Sequence, residues 1–426
     1  MSEPPSGDRG VRDRRVRART TGRTPPRSTS QLELDARLRQ VGDVARGLPA
    51  LTARGTGASR NELVAGLEAG RHLNPRLDLQ PVQVPRHAWT ALAEARRLAT
   101  DVAETQLHLD RLDELELELQ LMECLGNGRQ VRSIARRRYP TGATTMTLGG
   151  GDVRLAEVAG ALLDELQPQT EERTLGASDV AEVVQTIARG AGLDVEIRIE
   201  PGLVANAAAG ERTVFLADRR FGPREAHRLA VHEVLGHLTA AANARAQPLA
   251  VVQVGTAGAF ADQEGVAIQL EAESDLLDDS RVRTFAARVW CTDRVHEDVA
   301  FEDVARLLVG EYGFRPEAAI ALALRSYRGG GLTRDASYLC GWLGVRTAVR
   351  SDPAGPMQAL HRLRLGRVSV RALPALQRLL DSNALRSPTY CPAVPVSSFA
   401  FSPPATASGT SASTPPPSFP ASLPVF

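Results

Sequence analysis

The chain has 426 residues, 43% of them hydrophobic, and its 51 basic side chains nearly balance 50 acidic ones to leave a net charge of +1. That balance gives no electrostatic footprint for nucleic acid or an acidic membrane surface, and the most apolar stretch, from Leu249, is broken by Gln253, glycines and Asp262 before it could span a bilayer. Four cysteines, Cys124, Cys291, Cys340 and Cys391, are widely spaced with no Cys-x-x-Cys pair, which argues against a thiolate metal site and for a reducing, cytoplasmic setting.

Residues 1–30 are rich in arginine, proline and glycine, and we read them as a disordered tail; Arg14-Arg15 is followed by no apolar segment and is not an export signal. Apolar residues then recur at helical spacing from Gln31 to about Leu48, from Ser59 to about Gly70 and from Arg86 to about Leu125. In the longest of these, Asp110, Asp113, Glu114, Glu116 and Glu118 form an acidic side that reads as a solvated face, and Gly126-Asn127-Gly128 stops the helix. Arg136-Arg137-Arg138 beside Tyr139-Pro140 reads as a basic surface patch, and amphipathic helices follow at Leu155–Leu166 and Ser178–Ala188. The period then changes from helix to strand. Val195-Glu196-Ile197-Arg198-Ile199-Glu200 alternates, Pro201-Gly202 breaks it, and Thr213–Ala217 makes a second strand, so a small antiparallel sheet is expected with an edge able to hold an extended peptide.

This sheet leads into a helix from about Pro223 to Asn243, opened by Pro223 and closed before Gln247-Pro248. It carries His232-Glu233-Val234-Leu235-Gly236-His237. Neutral imidazoles bind a zinc ion, and a carboxylate that is not a ligand can take a proton from activated water. Zinc peptidases usually space such histidines one α-helical turn apart. Here they are five residues apart and on a regular helix would diverge by roughly 140°. A single π-type turn brings both rings to one side, and Gly236 sits where the backbone must deform. His227, with no carboxylate after it, reads as structural. The next helix supplies the third ligand, Glu264; Glu271, seven residues on, shares its face and is a candidate acceptor for a ligand imidazole N–H, whereas Glu273 points about 180° away.

Further on, Arg325 and Arg328 lie three apart on a helix before Gly329-Gly330-Gly331, and Thr333 reads as the cap of the next helix with Asp335 in its first turn. Helices at Met357–Leu365 and Val370–Asp381 follow. Beyond Cys391 the chain is rich in proline, serine and alanine, and residues 396–426 read as a second disordered tail. The fold class is mainly α with a small antiparallel β-sheet (α+β), as one zincin-like metallopeptidase domain over residues 31–395.

Several segments together resemble the tubulin-tyrosine carboxypeptidase (MATCAP-type) family, and more closely its bacterial members, the flavohaemoglobin expression-modulating QEGLA motif proteins. They are His232–His237, then Asn243-Ala244-Arg245-Ala246-Gln247-Pro248, then Gln263-Glu264-Gly265-Val266-Ala267, then Arg325–Leu339. Val266, the Leu235-Gly236 pair and Arg334 depart from the family's usual residues without removing any ligand. The resemblance implies one zinc ion (Zn2+) held by His232, His237 and Glu264, Glu233 as catalytic base, and removal of a residue from the C-terminus of a peptide or protein. In that reading Tyr338, then Arg334, is the second donor to the oxyanion, and Arg325 or Arg328 recognises the substrate's terminal carboxylate with a guanidinium fork. Two other readings remain: a metal-binding regulatory protein without turnover, and a zinc hydrolase of a non-peptide amide. Retention of Glu233 favours hydrolysis.

Overall fold

The computed structural model describes residues 26–48, 57–75, 77, 80–168, 171–201, 203 and 205–391. The two tails expected from composition lie outside the described residues, apart from residues 26–30. Here Ser28 accepts a hydrogen bond from the Gln31 N–H and so caps the first helix.

In chain order, α1 (Thr29–Ala45), α2 (Gly57–Glu68), α3 (Arg86–Ala99), α4 (Thr105–Cys124) and α5 (Gly128–Arg138) precede a hairpin of β1 (Thr145–Leu148) and β2 (Gly151–Arg154). Then come α6 (Leu155–Glu165), α7 (Ala177–Gly190) and three strands, β3 (Glu196–Glu200), β4 (Ala207–Ala209) and β5 (Thr213–Ala217). A long bent helix follows as α8 (Pro223–Ala230), a π-helical turn (Val231–Leu238) and α9 (Thr239–Ala246). The remaining helices are α10 (Ala250–Val254), α11 (Ala259–Glu273), α12 (Asp279–His296), α13 (Phe301–Gly310), α14 (Pro316–Gly331), α15 (Ser337–Ser351), α16 (Pro356–Leu363) and α17 (Leu373–Asp381), with short 3-10 turns at Arg334–Ala336 and Val370–Ala372. Among the described residues no helix is long and apolar enough to cross a membrane.

The mainly helical α+β class is as expected, but the sheet is not simply antiparallel. β3 and β5, the two strands legible in the sequence, pair in parallel, Glu196 opposite Thr213 through Glu200 opposite Ala217. Parallel neighbours need a connection that returns the chain, and the return here is β4, whose three alanines pair antiparallel with β5 on its other side. Alanine has little strand propensity, so alternation could not find β4. The β1–β2 hairpin was likewise unforeseen. Gly149 and Gly150, with φ of 58° and 84°, make its two-residue turn.

The segment from Arg86 to Leu125 is two helices rather than one. The chain turns at Thr100–Glu104, where Glu104 adopts a left-handed φ of 56° and its carboxylate accepts both arms of the Arg378 fork at 2.7 Å. Nor is the acidic side of α4 wholly solvated. Glu118 is buried, bonded by Arg111 at 3.0 and 3.2 Å and by Arg138 at 2.6 Å. Arg138 is therefore an interior partner, not part of a surface patch. Two guanidinium groups hold the Glu118 carboxyl below its ordinary pKa against the opposing effect of burial.

Two apolar cores organise the chain. One gathers α1, α3, α4, α7, the three-stranded sheet, the π turn and the C-terminal helices; the other gathers α6, α12, α13 and α14. α11 and α15 face both, since Val266 and Leu270 join the first core while Ile268 joins the second, and Val345 and Leu339 divide in the same way. These two helices meet backbone to backbone. A Cβ on Gly265 would lie 2.2 Å from the Gly341 carbonyl oxygen, and one on Gly341 1.9 Å from that of Ala261. Buried amides close the structure: Asn243 donates to the Arg364 and Tyr390 carbonyls and accepts from Thr389 and Tyr390, while Gln247 and Gln263 donate to the carbonyls of Leu365 and Val368. The asparagine and both glutamines of the shared motifs thus tie the C-terminal segment onto the helices that flank the seam between the cores.

Candidate metal centre

The seam is where the two histidines meet the glutamate. The bent helix passes through its π turn at Val231–Leu238, where i→i+5 bonding places residues five apart on one side, and His232 and His237 are five apart. Gly236 serves a different purpose from the one its position suggested. It has no left-handed φ; a Cβ there would lie 2.5 Å from the Cβ of Ala267, so its absence lets α11 approach the π turn closely. That approach carries Glu264 inward.

The Nε2 atoms of His232 and His237 are 3.2 Å apart, and Glu264 Oε2 lies 3.3 Å from the first and 3.8 Å from the second. Three ligand atoms bound tetrahedrally at about 2.0–2.1 Å to one ion stand roughly 3.3 Å from one another. The donor chemistry also fits. Glu264 Oε2 is buried without a hydrogen-bond donor. With its proton on Nδ1, facing Glu271, His232 turns a lone pair at Nε2 toward His237. Among the described residues these three form the one group able to hold a metal ion.

Electrostatics agree. Burial disfavours a charged His232, yet the nearby carboxylates of Glu264 and Glu271 outweigh it and push its pKa up to about 10. Burial alone would raise Glu264, but His237 and His232 bring it down to about 2. Positive charge is thus favoured between these groups, and a divalent ion would compete for the place with the His232 proton.

Glu271 is fully buried. Its Oε1 accepts from His232 Nδ1 at 2.6 Å and from Arg281 at 3.0 Å, which fixes the ring's tautomer and direction. Arg281 lies on α12, whose N-terminus is capped by Asp278 accepting from the Arg281 N–H at 2.8 Å. Glu271→Gln removes the charge behind the ring, and we expect metal affinity to fall about 10- to 100-fold with the fold retained; a competitive zinc titration against a chromogenic chelator measures it.

Glu233, beside His232 on the π turn, is 6% exposed. The other residues singled out from the sequence gather on α14, the 3-10 turn and α15. Tyr338 stacks on Phe285 at 5.8 Å, and its phenol is pushed up by burial and by the charge of Glu264. Arg325 engages Asp335 with two bonds of 2.8 Å and also bonds Tyr338. Arg328 lies within reach of the charges of Arg325, Arg334 and Tyr338, and burial followed by Arg325 brings it down to about 10. Arg334 sits 6.0 Å from the Phe260 ring centre.

The intervening glycines pack against protein backbone. Gly329, Gly330 and Gly331 have φ of 67°, 87° and 96° and pack on the turn before α5, where the Gly126 N–H donates to the Gly329 carbonyl at 3.1 Å and a Cβ on Gly330 would lie 3.0 Å from Gly128 Cα. Thr333, at φ 45°, makes no cap; its hydroxyl lies 3.1 Å from His296 Nε2.

One residue escaped the sequence reading. Arg288 on α12 places its guanidinium 4.2 Å from the centre of the Tyr338 ring, and its charge lowers the Glu264 pKa. The signal was available: Arg281 and Arg288 are seven residues apart, the same interval as Glu271 and Glu264, so two facing helices present matching pairs.

Against known proteins, residues 67–400 match the microtubule-associated tyrosine carboxypeptidase family. No curated protein and no solved structure matches the chain.

Proposed function

The chain belongs to the microtubule-associated tyrosine carboxypeptidase family, and from that premise we propose that it is a zinc-dependent carboxypeptidase of zincin type, whose single catalytic domain spans residues 31–395 and acts on the C-terminus of a peptide or protein. The observation that carries the reading is the convergence of His232 Nε2, His237 Nε2 and Glu264 Oε2 to within 3.8 Å, with Glu233 next to the first ligand. Three protein ligands suit a hydrolytic rather than a structural site, because they leave one position for water.

A zinc ion bound there would act as a Lewis acid, making water acidic enough to be deprotonated near neutral pH and polarising the scissile carbonyl. Glu233 takes the proton from the attacking water and returns it to the leaving amine. Glu271 and Arg281 keep His232 oriented throughout. Tyr338, a protonated phenol beside Glu264, donates to the oxygen that gains charge. β4 packs beside the π turn and pairs only on its β5 side among the described strands; its other edge can take an extended peptide by backbone hydrogen bonds.

The test is a set of peptides differing in their C-terminal residue, incubated with zinc-loaded full-length protein and read by mass spectrometry. Loss of one terminal residue, abolished by chelator and restored by zinc, is the expected result. Internal cleavage, or no cleavage by protein shown to hold zinc, would overturn the reading.

A further inference from the structure

Two carboxylates of α11, Glu264 and Glu271, each feel the charge of a guanidinium group of α12, Arg288 and Arg281 respectively. Arg281 bonds Glu271 through Nη2 at 3.0 Å and Nε at 3.3 Å. The second pair behaves differently. Arg288 makes no ion pair with Glu264; its fork lies across the aromatic faces of Tyr338, at 4.2 Å, and Phe285, at 5.5 Å. Its Nε and Nη1 are shut away from solvent with no acceptor. Unsatisfied donors of this kind are uncommon and costly in folded proteins. Burial, then the nearby charge of Arg325, brings the Arg288 pKa down to about 10, so an anion at this place would relieve both the missing acceptors and the crowding of positive charge. Asp335 does not supply it: its oxygens bond Arg325, and Arg288 Nε and Nη1 stay without a partner. Glu264 does not either, since its Oε2 faces the two imidazoles.

We propose that Arg288 is the specificity-determining residue that receives the terminal carboxylate of the substrate, its planar fork held on the Tyr338 ring beside the metal ligands. This rests on the carboxypeptidase reading and extends it. A carboxylate accepting from one of these orphaned donors would make a charge-assisted hydrogen bond directed by the guanidinium plane, which a compact ammonium cannot match. It would also set the last peptide bond beside Glu264 and Tyr338, so that one residue is removed at a time.

The test measures binding rather than turnover, so that it stands apart from the reading it extends. Full-length zinc-loaded protein carrying Glu233→Gln is titrated with two fluorescent peptides of one sequence, one ending in a free carboxylate and one in a carboxamide. The free acid is expected to bind at least about 10-fold more tightly. Adding Arg288→Gln should abolish that preference while leaving amide affinity and zinc content unchanged, and Arg288→Lys should restore it only in part. A preference that survives Arg288→Gln, one that disappears on chelation but not on that substitution, or none in the parent protein would each overturn the assignment. Failure of turnover with the carboxylate preference intact would count against hydrolysis alone.

Discussion

The Glu233→Gln protein is expected to fold, to bind one zinc ion per chain, and to hydrolyse peptide C-termini about 10²- to 10⁴-fold more slowly than the parent. Glutamine keeps the size and the hydrogen-bonding oxygen of glutamate but cannot accept a proton from water and deliver it to a leaving amine. The three atoms able to hold a metal ion belong to His232, His237 and Glu264, so the substitution should leave the metal in place. The measurement is kcat for a good peptide substrate together with zinc per chain on the same preparation. This variant also separates hydrolysis from the regulatory alternative, because a protein that works only by binding metal would keep its biological effect after the change. Equal turnover by the two proteins would remove Glu233 from the mechanism.

Asp335→Ala should cost about 3–5 kcal/mol of folding stability, enough to threaten a marginally stable fold. The carboxylate is nearly inaccessible and bonds Arg325 at 2.8 Å through both oxygens. Its removal leaves Arg325 buried without its anion and close to Arg288, two like charges in a poorly hydrated place. Burial would raise the Asp335 pKa, but Arg325 and Arg288 together hold it well below the carboxylate range. A depressed folded-state pKa means that this stabilisation is complete above the unfolded value, near 3.9, and is lost as pH falls toward the folded one. The parent should therefore lose stability steeply below about pH 4, and the Asp335→Ala protein, already lacking the interaction, less steeply. Denaturant unfolding followed across pH 2–7 would reveal it, and parallel curves would assign the lost stability elsewhere.

The candidate metal centre was more legible in the sequence than the frame around it. His232 and His237 stand five residues apart, an interval that only a deformed helix can use for chelation, so the spacing itself called for the π turn that the helix adopts. Glu264 and Glu271 could be read together because seven residues return to nearly the same face. What could not be read was why the glycines are glycines. Gly236, Gly265 and Gly341 have no left-handed φ; they are needed because another helix passes too close for a Cβ, and that demand exists only between segments distant in the chain. Gly330, by contrast, has both a left-handed φ and a close neighbour, the turn at Gly128. β4 escaped because three alanines give no alternation, and its absence led to the wrong direction for the β3–β5 pair. The burial of Glu118 escaped because its partner Arg138 lies on another helix, and a charge seen alone reads as solvated.

Arg288 shows the same limit among the candidate functional residues. An arginine on an amphipathic helix is ordinary, and only the arrangement in space reveals that its Nε and Nη1 have no acceptor while Arg325, the more conspicuous candidate, is already engaged with Asp335. The arginines of the glycine-flanked segment attracted attention because glycines permit close approach, yet those glycines bring the chain against its own backbone.

The claim on which the rest stands is that two imidazoles and one carboxylate from neighbouring helices bind a single ion. Zinc K-edge absorption spectroscopy on protein loaded with one equivalent of zinc tests it most directly. A four-coordinate site is expected, with nitrogen and oxygen neighbours at about 2.0–2.1 Å, scattering from two imidazole rings and none from sulfur, and that site should be lost in His237→Ala. A spectrum with sulfur neighbours, or one unaltered by His237→Ala, would contradict it.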